Sequence, residues 1–413
     1  MAALTIQVNV MKIVYLDSSD FSDLSASESK LSDENRAILA ALRSSVKQGS
    51  ARFVLSGIHL SEAVNATDNP AHKEAAVRRA ALMQELCSNN FLRLPFEIMK
   101  LELHKAINGT SNARLSIDEA LSQKSEWFGL SLDIDFSNKR QRAFVELEKL
   151  TGHLPRSKRR KLRSEWRPST ATGRELWRKL ASSSKEPLSN EFPFSLFTTE
   201  YVMDWIVGDR SDTDFRSRLV GILNNPKGLI ESVLDLTNER HTIYALLRRE
   251  GEEMQARMEA TLQSAFESLS QVLDLNKTPN LTKDLRRALP VADFRRTIVS
   301  SFSDTAIDRY SDDELTNIVA ACPSVSTFLN MYIAYACSIF DSNLQRIRHG
   351  KAGIAPRKPS DFGDMMHAVY APYSDTFRCD AYFASLLRQD PNIKACIANR
   401  EKLLELSATP TAA

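Results

Sequence analysis

Three short apolar runs constrain this fold more than any other feature of the chain. Residues 12–16 (KIVYL), 52–56 (RFVLS) and 91–95 (FLRLP) are too short for helices, and helical periodicity follows each of them. Ser32-Asp33-Glu34 opens a helix with apolar positions at Ile38, Leu39, Leu42 and Val46, and Gly49-Ser50 stops it. Ile58, Leu60, Ala63 and Val64 mark a second helix, and two more run over 71–87 and 96–107. Strands alternating with helices at this spacing predict a parallel sheet with right-handed crossovers.

The rhythm then stops. Residues 108–325 show helical periodicity, charge and breaks at Asn108-Gly109 and Asn224-Asn225-Pro226, but no convincing strand pair. Ser116-x-x-Glu119 and Ser311-x-x-Glu314 fit capping boxes. A long helix over 326–348 and a loop with two prolines over 351–360 follow. The α/β pattern then returns: a helix from 360 or 361 to 371, a strand over 376–379, a helix over 381–387, a strand over 392–397 and a last helix after Asn399. The expected architecture is one α/β domain, in two parts (1–107 and 326–413), interrupted by an all-helical insertion (108–325).

Composition supports an ordered chain: 43% of residues are hydrophobic and 26% charged, enough to bury a full core. The net charge of +2 excludes a uniformly basic coat, so any grip on nucleic acid must be local. Cys87, Cys322, Cys337, Cys379 and Cys396 are odd in number and lack C-x-x-C spacing, which predicts free thiols in a reducing compartment. The first residues lack the basic and long apolar regions of a secretory signal. The longest apolar stretch, 328–340, is too short to span a bilayer and reads as a buried helix. A cytoplasmic location without a membrane partner is the expectation. Phosphate-binding P-loop, dinucleotide G-x-G-x-x-G and hydrolase G-x-S-x-G motifs are all missing.

The acidic residues carry the chemistry. Sites in open parallel sheets form beyond the carboxyl ends of the strands. Asp17 follows the first strand, Glu62 lies one turn into the helix after the second, and Asp380 follows the strand at 376–379. Asp361 and Asp364, three apart, share one helix face. Clustered carboxylates repel each other unless a cation sits among them, and oxygen-only ligands suit Mg²⁺ or Mn²⁺. The competing role for any one of them is to cap a helix or make a turn.

At these residues the sequence resembles a known family. Val14-Tyr15-Leu16-Asp17-Ser18-Ser19 looks like the first motif of PIN-domain nucleases, and Leu55-Ser56-x-x-His59-Leu60-x-Glu62 like the second. The run Asp361-x-x-Asp364-x-x-His367-Ala368-x-Tyr370-x-Pro372-Tyr373-x-Asp375-x-Phe377-x-x-Asp380 is similar to the third and fourth together. The likeness covers about 11–107 and 326–413. It implies a three-layer α/β/α fold with the strand at 12–16 between those at 52–55 and 376–379. It also implies metal-dependent hydrolysis of phosphodiesters, usually in RNA. The family's acidic quartet falls on Asp17, Glu62, Asp364 and Asp380. Asp17, Asp364 and Asp380 are the expected metal ligands, and Glu62 a ligand or the holder of the attacking water. Asp361 and Asp375 are outer candidates, with Asp361 equally a helix cap. The large helical insertion departs from the compact members of the family.

His367 could donate to a carboxylate or a phosphate, or pack with Tyr370 and Tyr373, and His59 has the same ambiguity. Residues 156–167 hold seven basic residues (Arg156, Lys158, Arg159, Arg160, Lys161, Arg163, Arg167) against one acidic residue, beside Trp166. Such a stripe could track a phosphate backbone with the indole stacking on a base, or could be a solvated face. Trp127, Trp177 and Trp205 read as core residues of the insertion. The reading is thus a metal-dependent nuclease acting on RNA before DNA. Its rivals are a non-catalytic nucleic-acid-binding scaffold and an insertion that docks a protein, such as an inhibitor or a toxin–antitoxin or defence component.

Overall fold

The computed structural model describes residues 11–63, 70–122, 135–149, 197–235, 291–303, 309–349 and 361–407, with a few short pieces between them. It is mostly helical around a small parallel sheet. Strand β1 (Lys12–Tyr15) lies between β2 (Ala51–Val54) and a strand at Thr376–Phe377, both parallel to it. Val14 stands opposite Phe53 on one side and Thr376 on the other. The strand order expected from the resemblance is therefore present. Single bridges widen the sheet: Leu55 to Phe91, Leu92 to Leu121, and Phe377 to Ile397. The strands expected at 91–95 and 392–397 shrink to these bridges. At the first, Pro95 starts a helix at once, where its missing N–H costs nothing.

Period-two alternation splits the strand residues between two apolar layers. Val14, Leu16, Phe53 and Leu55 face helices α2 (Asp33–Gln48) and α4 (Pro70–Cys87). Tyr15, Val54 and Phe377 face α5 (Pro95–Ile107) and the long helix Pro323–Arg348. Burial on both faces explains why the runs are almost continuously apolar. Ser32 caps α2 by accepting from the Asn35 N–H, and Gly49 ends it at φ 67°, a left-handed turn that glycine adopts freely. Only Val46 of its expected apolar positions turns outward. A short helix unanticipated from the sequence, α1 (Ser18–Leu24), follows β1.

Between 108 and 325 both anticipated capping boxes are present, at Ser116 and Ser311. The expectation of no strand pair there is corrected by a two-residue hairpin, β3 (Glu126–Trp127) with β4 (Leu130–Ser131), too short to leave an alternating pattern. Ala113, Leu115 and Leu121 share the layer of Tyr15 and Val54 with Ile298 and Leu315, while Trp205, Phe215 and Ile230 join the layer of Val14 and Phe53. Trp166 and Trp177 lie outside the described residues. All five cysteines are free; four are buried and Cys396 is part-buried. No single described helix is long and apolar enough to cross a membrane.

One buried carboxylate pins the two parts of the chain together. Glu102, in α5, accepts from the Ser324 N–H at 2.9 Å, the Val325 N–H at 3.4 Å and the Tyr373 hydroxyl. It thereby serves two N–H groups that the start of the long helix leaves unpaired. Burial pushes its carboxyl up to about 7, against the downward pull of those donors. Its native pKa thus exceeds the unfolded value of 4.5, so its contribution is complete below that and fades as pH rises through about 7. Glu102→Ala should destabilise the protein by about 2–3 kcal/mol in urea melts, because it orphans buried donors. Glu102→Gln should flatten the fall in the melting midpoint between about pH 5 and about pH 8.

Candidate active site

The carboxyl end of the sheet gathers the acidic residues from four elements. Asp17 follows β1, is 9% exposed and caps α1: its Oδ2 accepts from the Ser19 N–H at 3.0 Å and from the Ser19 hydroxyl. Glu62 lies on α3 (Gly57–Ala63), beyond β2. Asp364 lies on the helix Asp361–His367. Asp380 is exposed and caps the helix Ala381–Leu387 through its Oδ1, which accepts from the Phe383 N–H at 2.7 Å. The helix of Asp364 runs against Glu62: a Cβ on Gly363 would stand 3.5 Å from Glu62 Oε1.

The four groups feel one another. Burial pushes the Asp364 carboxyl up to about 7, and Glu62, Asp380 and Asp17 add to the rise against the pull of His367. Glu62 behaves oppositely. Burial would raise it, but the charge and hydrogen bond of His367 bring it down to about 2. The His367 ring is 2% exposed, and its Nε2 stands 3.4 Å from Glu62 Oε1. Burial works against its protonation, yet Glu62, Asp17 and Asp364 outweigh that and raise its pKa.

Among the described residues no three His, Cys, Asp or Glu side chains already stand together as a metal-holding group. Asp17 and Asp380 each commit one oxygen to a helix start, and Glu62 commits one to His367. The donor set still fits a hard cation, since it is all oxygen and its electrostatic conflict centres on Asp364.

The remaining expectations divide. Asp375 is removed from the rim: its N–H donates to the Ile13 carbonyl and its Oδ2 accepts from the Ile13 N–H, both at 2.8 Å. It therefore sits beside the start of β1, about 13 Å along the strand from Asp17. Asp361 opens its helix, and its side chain lies outside the described residues. His59 faces inward. Its Nε2 donates to the Leu16 carbonyl at 2.8 Å, and burial, then the charge of His367, lowers its pKa to about 4. His367 does not pack on Tyr373, which serves Glu102; its ring meets Tyr15 and His59. Of the basic stripe, Arg156 and Arg160 are described and exposed. Lys158, Arg159, Lys161, Arg163 and Arg167 lie outside the described residues.

Tyr15 and Ser56, named in the sequence only as motif positions, and Asp20, which carried no expectation, support this rim. Asp20 completes the α1 capping box by accepting from the Asp17 N–H, and its Asp17-x-x-Asp20 spacing was the available signal. Compared with family models, with curated proteins and with solved structures, the chain matches none of them.

Proposed function

We propose that this chain is a metal-dependent nuclease with a three-layer PIN-like domain, hydrolysing phosphodiester bonds in RNA before DNA. The observation that carries the reading is the strand order. With β1 central, Asp17 and Asp380 follow neighbouring strands, and Glu62 and Asp364 approach from the helices beside them. Asp17, Asp364 and Asp380 would hold Mg²⁺ or Mn²⁺. Such a cation supplies water activated near neutral pH and shields phosphoryl charge. The chain's own part is to hold four carboxylates on one rigid edge, two of them fixed as helix caps. The exposed Arg156 and Arg160 are proposed to meet the substrate backbone.

The test uses the full chain with labelled single-stranded RNA and DNA, with Mn²⁺ and with chelator. Metal-dependent cleavage that Asp17→Asn abolishes is the expected result. The absence of both cleavage and calorimetric heat with millimolar Mn²⁺ would end the reading. The caps on Asp17 and Asp380 favour a second reading, a scaffold that binds nucleic acid without cutting it. It predicts binding unaffected by metal.

A further inference from the structure

A chain of polar groups runs behind the acidic rim, inside the apolar layers. Tyr15, Ser56 and His59 are completely buried and His367 nearly so. His59 Nε2 lies 2.8 Å from the Leu16 carbonyl, which can only accept, so this nitrogen carries the proton. His59 Nδ1 is then a bare acceptor, facing the Ser56 N–H at 3.1 Å and the Ser56 hydroxyl at 3.0 Å. The Ser56 hydroxyl lies 2.9 Å from the Tyr15 hydroxyl, which in turn bonds His367 Nδ1. The far side of His367, Nε2, faces Glu62. The order Leu16, His59, Ser56, Tyr15, His367, Glu62 is thus unbroken from the backbone of β1's end to the rim.

Burying so many polar groups is favourable only when each is partnered, and here each is. Rings hold the line laterally: Tyr15 stacks on Phe377 at 5.1 Å and on Tyr370 at 5.2 Å, and His59 lies 5.1 Å from His367. His367 is thus engaged at both ring nitrogens. Its Nδ1 is held by Tyr15, and the Nε2 direction ends on one Glu62 oxygen. With one oxygen on the imidazole and the Ser18 hydroxyl beside it, the Glu62 carboxylate is oriented, and the lone pairs left over can accept from water.

Building on the nuclease reading above, we infer that His367 is a positioning residue that orients Glu62 to hold the attacking water, leaving the cation to Asp17, Asp364 and Asp380. Tyr15, Ser56 and His59 form the fixed support of that residue.

The first measurement needs no metal. Histidine-ring ¹⁵N spectra are compared for the full-length wild type, Glu62→Gln and Tyr15→Phe. Both substitutions should move the His367 signals and leave His59 protonated on Nε2. If Glu62→Gln leaves the His367 signals in place, the positioning role is overturned whether or not the protein binds metal. The second measurement is calorimetric titration with Mn²⁺ alone. Glu62→Gln and His367→Gln should keep the wild-type dissociation constant within about threefold, while Asp364→Asn weakens it at least about tenfold. If Glu62→Gln weakens it as much as Asp364→Asn does, Glu62 is a ligand: the inference falls and the nuclease reading stands. If wild type gives no heat, the nuclease reading falls and takes the water-holding role with it.

Turnover on single-stranded RNA completes the test. His367→Leu should lower kcat with KM unchanged. His367→Gln, whose amide N–H can replace Nε2–H, should recover much of the loss. Equal losses in the two variants would make His367 a packing residue and overturn the inference.

Discussion

Arg378→Met should destabilise the full chain by about 3–5 kcal/mol, the usual result of breaking a buried ion pair by removing one partner. Arg378 Nε and Nη2 donate to the two oxygens of Asp20 at 3.0 and 2.9 Å, and Nη1 donates to the Ala398 carbonyl at 3.1 Å. Asp20 is 1% exposed, so the variant would leave its charge with no cation and little water. The forked geometry is the strong form of this pairing. Asp20→Asn combined with Arg378→Met removes the stranded charge and should recover at least half of the loss, since the cost is mostly that of an unpaired group. Urea melts of the three variants decide the matter, and a loss below about 1 kcal/mol for Arg378→Met would contradict it. The pair also ties the start of α1 to the end of the strand Thr376–Phe377, which brings Asp17 and Asp380 to the same edge. A partial loss of metal affinity in Arg378→Met is therefore expected even where the protein stays folded.

The contrast between these residues and the readable ones is physical. Ser32, Gly49, Ser116 and Ser311 announce helix ends because their partners lie within a turn. The strand at 12–15 is legible because burial on both faces demands an unbroken apolar run. Asp17 and Asp380 are legible as residues that follow such runs. Asp20 and Arg378, by contrast, are 358 positions apart, and Glu102 and Ser324 are 222 apart. No local period records those meetings. His367 was legible as a residue of interest, but not its partners, because Tyr15 reads as one more apolar position in KIVYL. Asp375 shows the opposite failure: its spacing suited the rim, yet strand register sets it at the far end. The sheet itself is narrower than its apolar runs, since three of its contacts are single bridges.

Asp364→Asn should separate function from stability. In the wild type, burial together with Glu62, Asp380 and Asp17 pushes this carboxyl up to about 7. The native pKa lies above the unfolded value of 3.8, so its effect on stability is most favourable in acid and worsens as pH rises through about 7. Asparagine keeps the shape and removes the charge. The metal-free variant should therefore melt higher than wild type above neutral pH, with the difference vanishing in acid. Added Mn²⁺ should reverse the order, because it stabilises only a protein that binds it. Supporting groups around metal sites already carry about 10–100-fold effects, so under the proposed nuclease function, in which Asp364 holds the cation, the variant should cut turnover by about 100-fold or more. The same sign of trade-off is common where a site gathers like charges for its chemistry. Calorimetric scans at two pH values, with and without Mn²⁺, read all four corners. A variant that melts lower than wild type in the metal-free alkaline scan would mean that Asp364 is a structural carboxyl, and the acidic edge would lose its central member.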